Sequence, residues 1–87
     1  MDHALSSAGN LLAETLKRLN LRLVFAESCT AGLASATLAE TPGVSAYHCG
    51  SAVTYQNATK HDWLGVPWEL LEPPGPGAVS EPVARAM

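Results

Sequence analysis

The sequence predicts an α/β fold, and three observations point there. A helix-period stretch opens the chain, two short apolar runs of strand length follow, and an alanine-rich helical stretch lies between those runs. The connection from Ser28 to Val44 is long enough for the crossover that parallel strands require, so the segment from 21 to 55 reads as a βαβ unit. At 87 residues the chain accommodates one domain, 1–87, with a small core.

The elements follow in order. Leu5, Ala8, Leu12, Leu16 and Leu19 recur at helical spacing, with Glu14, Lys17 and Arg18 off the stripe, which predicts a helix over 4–19. Asp2 suits its N-cap and Asn20 its C-terminal stop. Leu21 to Ala26, broken once by Arg22, read as a strand buried on at least one face. Thr30 to Glu40 form a small-residue helix packed close to its neighbours, ended by Thr41-Pro42-Gly43. Residues 45 to 55 carry the second strand signal, with a bulge or close backbone approach at Gly50.

The remainder is shorter and more broken. Asn57 to Leu64 predict a helix and Pro67 to Leu71 another turn, with proline at its start. Pro73-Pro74-Gly75-Pro76-Gly77 is a stiff loop, and Ser80 caps a last helix running to Met87. Trp63 and Trp68 are expected as core or interface anchors.

Charge excludes several partners. Five Lys+Arg against eight Asp+Glu give a net charge of -3, so the basic face that duplex nucleic acid requires is missing. One nucleotide phosphate, held by backbone N–H groups, is compatible with that charge. The longest apolar run, Leu23-Val24-Phe25-Ala26, is too short for a bilayer. Cys29 and Cys49 are too few for a disulfide scaffold and form no CxxC, which favours reduced thiols in a cytoplasmic protein. His3, His48 and His61 lack metal-ligand spacing, so no metal site is expected; no cofactor is expected either.

Three groups could carry chemistry. Glu27-Ser28-Cys29-Thr30-Ala31-Gly32 joins the first strand to the following helix, where unpaired N–H groups would stabilise an oxyanion or hold a phosphate. Ser28 or Thr30 could equally serve only as the helix cap, and Cys29 could compete as a thiol nucleophile or simply pack. Tyr55 and Lys60 form a second group: a desolvated lysine amine can act as base and a tyrosine can relay or orient the proton. A strand-end tyrosine and a solvated lysine are the plain alternative. A triad of a serine with His48 or His61 and Asp62 has no supporting signature. If the strands are parallel, the segments after them, around Ser28 and Tyr55, leave the same carboxyl edge, where ligands bind in open α/β sheets.

Five blocks, taken together and in order, resemble one known family. They are Ala26-Glu27-Ser28-Cys29-Thr30-Ala31-Gly32-Leu33, Thr41-Pro42-Gly43-Val44-Ser45-Ala46-Tyr47, Val53-Thr54-Tyr55-Gln56-Asn57 with Lys60, Leu64-Gly65-Val66, and Gly77-Ala78-Val79-Ser80-Glu81. The resemblance is to the C-terminal domain of the competence/damage-inducible CinA proteins, and it runs from about Leu12 to Met87.

That resemblance implies a three-layer α/β/α sandwich, here incomplete, and hydrolysis of the carboxamide of nicotinamide mononucleotide to nicotinate mononucleotide and ammonia. Ser28 matches the family's nucleophile, and Tyr55 and Lys60 match the residues that activate it. Glu27, Thr30 and Gly32 fall in the segment that approaches the substrate, and Ser80 in a third segment near it. Ala31 stands where many relatives carry glycine, a change expected to be tolerated. Ser51 and Pro76 replace a frequent glycine and histidine. The family domain is nearly twice as long, so a sheet with open edges is expected, and with it self-association as a homo-oligomer, docking with a separately encoded second half, or poor stability. The alternative reading is an inactive module that oligomerises or binds a nucleotide or a partner chain.

Overall fold

The structure, a computed structural model, describes residues 3–87, so the expected cap at Asp2 lies outside the described residues. The chain divides into two compact units, one ending at Val53 and the other spanning Thr54–Met87.

The first unit contains α1 (His3–Leu19), β1 (Leu23–Glu27), α2 (Leu33–Ala39), a 3-10 turn at Val44–Ala46 and β2 (His48–Val53). Asn20 ends α1 in the left-handed region at φ 51, and the Leu21 N–H reaches back to the Leu16 carbonyl. This is a Schellman-type stop, in which asparagine tolerates the positive φ that most residues avoid. The strands β1 and β2 are parallel, as the long connection predicted, so the α/β class holds. Leu23 pairs with His48 but Val24 with Gly50, leaving Cys49 as the extra residue of a bulge beside the expected glycine.

Leu23, Phe25 and Glu27 share one face of β1 by strand alternation. Leu23 and Phe25 pack with Leu12, Ala13 and Leu16 of α1, Leu38 of α2, Val44 and Tyr47. Leu38 retains 1% of its surface, so truncating it to alanine would cost about 2–5 kcal/mol. The opposite face carries Val24, which is 69% exposed.

The buried stripe of α1 is rotated from the expected one. Gly9, Ala13 and Leu16 are buried, whereas Ala8 and Leu19 face solvent. Close helix approach explains the shift: a Cβ on Gly9 would stand 3.0 Å from the Thr37 methyl of α2. Leucine counting favours bulk, while this contact selects for its absence.

The second unit contains α3 (Asn57–Leu64), α4 (Trp68–Leu71) and α5 (Glu81–Ala86). Its core is Val66, Leu71 and Val83, joined by Leu64, Leu70, Ala78, Ala86 and Met87. Ser80 caps α5, its hydroxyl accepting from the Val83 N–H at 3.4 Å. Trp63 is 67% exposed, which removes the core half of the expected core-or-interface role. Trp68 stacks on His61 with ring centroids 4.8 Å apart. No helix among the described residues is long and apolar enough to cross a membrane.

Candidate functional site

Parallel pairing aligns Glu27 with Val53, the last residues of their strands. The chain therefore leaves β1 at Ser28 and β2 at Thr54 from one edge of the sheet.

Ser28 is half-buried, and its hydroxyl makes no hydrogen bond among the described residues. Its carbonyl accepts the Ala31 N–H at 2.9 Å, which closes a tight turn. Ala31 and Gly32 then take positive φ values of 52° and 102°. At Ala31 this overturns the expectation of an easily tolerated residue, because a Cβ in the left-handed region costs about 1–2 kcal/mol.

These turns delay the helix to Leu33, three residues later than expected, and change what caps it. Neither Ser28 nor Thr30 is the cap residue; Gly32 holds that position and has no side chain. The Glu27 carboxylate takes over the role from the strand end. Its Oε1 accepts from the Ala34 N–H at 2.8 Å and the Thr30 hydroxyl at 2.7 Å, and its Oε2 from the Ser35 N–H at 3.1 Å. Burial alone would raise the Glu27 carboxyl, but the Thr30 hydroxyl and the N–H groups of Ala34, Ser35 and Gly32 together hold it below its ordinary value of 4.5. The positive end of α2 is thus already occupied by a charge of this chain, and the helix donors expected for an oxyanion or phosphate are taken.

The second unit holds the other predicted residues. Lys60, on α3, has no exposed surface, a placement rare for lysine. Its Nζ donates to the main-chain carbonyls of Thr54 and Tyr55, the latter at 3.2 Å. Among the described residues no carboxylate pairs with it. It is therefore not the solvated surface lysine of the plain reading. Tyr55 meets Lys60 through its carbonyl, and its side chain is 67% exposed. Ser80 is the N-cap of α5, its hydroxyl donating to the Gly77 carbonyl at 2.7 Å.

Thr54 was not singled out from the sequence. It is fully buried, and its Oγ1 has no partner among the described residues, at a usual cost of about 1–3 kcal/mol. The only signal was a polar residue directly after an apolar strand run.

The histidines serve other ends. His48 Nε2 lies 2.7 Å from Ser35 Oγ, and its ring meets Phe25 edge-on. His61 Nδ1 lies 2.9 Å from the Val66 carbonyl oxygen. Cys29 and Cys49 are free and exposed. Among the described residues no three His, Cys, Asp or Glu side chains converge as metal ligands.

A family model described as the CinA C-terminal domain matches residues 5–87. The chain belongs to the CinA C-terminal domain family. It is 46% identical over 88 residues to a CinA-like protein of Mycobacterium marinum, with 99% of this chain covered. It is 48% identical over 82 residues to a CinA-like protein of Mycobacterium tuberculosis. It spans only 20% and 18% of those two relatives. Among solved structures, a competence/damage inducible protein from Agrobacterium tumefaciens superposes with a TM-score of 0.93 at 36% identity, covering all of this chain and 52% of that one. A CinA superfamily protein from Escherichia coli superposes at 0.86 with 28% identity, and half of its length is covered. The CinA fold of this chain therefore corresponds to about half of each solved relative.

Proposed function

We propose that this CinA-family chain carries the acylating half of an amidohydrolase site acting on the carboxamide of nicotinamide mononucleotide. The observation that carries the reading is Lys60, a fully buried lysine held by two carbonyl oxygens and no acid. In the amine form those two bonds use both N–H groups and leave the lone pair free to take a proton. Ser28 supplies the hydroxyl. Its Oγ attacks the carboxamide carbon, and the family resemblance gives Lys60 the role of the base that takes up the proton and Tyr55 that of relaying or orienting it. The tetrahedral oxyanion collapses, the proton goes to the leaving nitrogen, and ammonia departs; water then hydrolyses the acyl-serine.

Glu27, Thr30 and Gly32 shape the loop that receives the substrate, and Ser80 contributes a third contact. Because Glu27 occupies the end of α2, the Cys29 and Thr30 N–H groups, unused among the described residues, are the donors left for the oxyanion. The reading needs no metal or other cofactor. It takes the setting as cytoplasmic, which suits two free exposed thiols. Self-association belongs to it too, since the two-stranded sheet exposes Val24 on its uncovered face.

One fact favours a second reading. The chain spans about half of the solved CinA structures it matches, so a module that binds nucleotide or a partner chain without turnover is the competing function. Ammonia release from nicotinamide mononucleotide by the purified chain and its Ser28→Ala variant separates the two. Release that Ser28→Ala abolishes supports the amidohydrolase; no release with retained nucleotide binding supports the module.

A further inference from the structure

We propose that Thr54 is a positioning residue whose hydroxyl is reserved for the Lys60 nitrogen. Three observations meet at this residue. Thr54 has no exposed surface, its Oγ1 lacks a partner among the described residues, and its own carbonyl already accepts from Lys60 Nζ. A buried hydroxyl without a partner is uncommon, because valine has the same shape without the unmet polar group. Covalent geometry keeps Oγ1 within a few ångströms of the carbonyl that holds the amine.

Proton counting supplies the role. As an amine, Lys60 has two N–H donors, and the Thr54 and Tyr55 carbonyls take both. Once Lys60 accepts a proton it has three, and the third needs an acceptor in a fully buried place. The Thr54 hydroxyl is the unpartnered acceptor on the residue already bonded to it, reached by rotation about χ1. No bond forms or breaks at Thr54; it holds the charged form of Lys60 between gain and return of the proton.

This inference rests on the amidohydrolase reading for its effect on rate, but not for the contact itself, so the test has two readouts. The chain contains only two lysines, Lys17 and Lys60, which makes nitrogen-15 spectra of the side-chain ammonium groups simple to assign. Thr54→Val should speed hydrogen exchange of the Lys60 ammonium by about tenfold, the loss of one hydrogen bond to a charged group. Thr54→Ser should restore slow exchange. In the ammonia-release assay Thr54→Val should lower kcat by about tenfold with KM unchanged, and Thr54→Ser should recover it. A merely structural role predicts the reverse order, since Val keeps the buried methyl and Ser loses it. Where Val unfolds the chain, Thr54→Ala set against Thr54→Ser asks the same question. Unchanged exchange in Thr54→Val overturns the proposal, as does unchanged kcat in an active chain. Faster exchange in a chain that releases no ammonia, parent included, supports the Thr54–Lys60 contact and removes the amidohydrolase reading instead.

Discussion

The Thr30 hydroxyl donates to the Glu27 carboxylate at 2.7 Å, across the turn that joins β1 to α2. That bond belongs to a set in which one buried carboxylate also collects the Ala34 and Ser35 N–H groups. Glu27 thus does from a strand end what a cap residue does from within the helix: it satisfies orphan donors and neutralises the positive helix end.

Replacing Glu27 with glutamine should therefore destabilise the chain by about 2 kcal/mol at neutral pH, because charge-assisted bonds become neutral ones and an amide group faces N–H donors. The pH dependence has a definite sign. The folded carboxyl titrates below 4.5, so its contribution is complete above the ordinary carboxylate range and is lost as pH falls from about 4.5 through the lower folded value. Thermal melting of the parent should fall steeply in that window, and Glu27→Gln should flatten that part of the profile. Parallel profiles for the two proteins would exclude this role.

Lys60 yields a different stability signature. Lys60→Met keeps most of the apolar stem but leaves the Thr54 and Tyr55 carbonyls unpaired, so a loss of about 2 kcal/mol is expected by urea titration. Ammonia release should fall at least as far as in Ser28→Ala, since groups acting as one unit are not additive. A chain that keeps its rate without this amine has no lysine base.

How far these positions were legible depends on what each requires of its neighbours. The parallel βαβ unit followed from chain length between two apolar runs, and Asn20 and Ser80 from local backbone chemistry, so all of these could be read in the sequence. Gly9 could not, because its reason is a partner residue on another helix, Thr37. The start of α2 was misjudged for a related cause: Thr30 and Ser28 look like cap residues, yet the bonds come from a carboxylate that the sequence assigns to the preceding strand. Lys60 was legible as a candidate base beside Tyr55, but its burial appears only once α3 is folded. Thr54 is illegible in the same way, since an unpartnered hydroxyl is a property of surroundings and not of spacing.

Ser28→Ala separates chemistry from stability. The hydroxyl makes no hydrogen bond among the described residues, so the substitution should move the unfolding free energy by less than about 0.5 kcal/mol. Its expected effect on ammonia release is a loss of about 10³-fold or more. Matched melting curves together with that loss would assign Ser28 to the reaction; a large drop in stability would assign it to the turn.

Ala31 supplies the test of loop strain. At φ 52° its Cβ sits in the left-handed region, where the clash with the backbone costs about 1–2 kcal/mol, while glycine there has none. Glycine also widens the unfolded ensemble, which offsets about 0.4–1 kcal/mol of that gain. The difference leaves Ala31→Gly more stable by about 0.5–1 kcal/mol, a rise of a few degrees in melting temperature for a chain of this size. The control is Ala36, helical and exposed on α2, where glycine should instead destabilise by about 1 kcal/mol. Opposite signs at these two alanines would locate the strain in the turn between Ser28 and Leu33. Equal losses at both would show that the turn carries no strain, and that the left-handed residue is held without cost by the bonds from Ala31 N–H to Ser28 and from Leu33 N–H to Thr30.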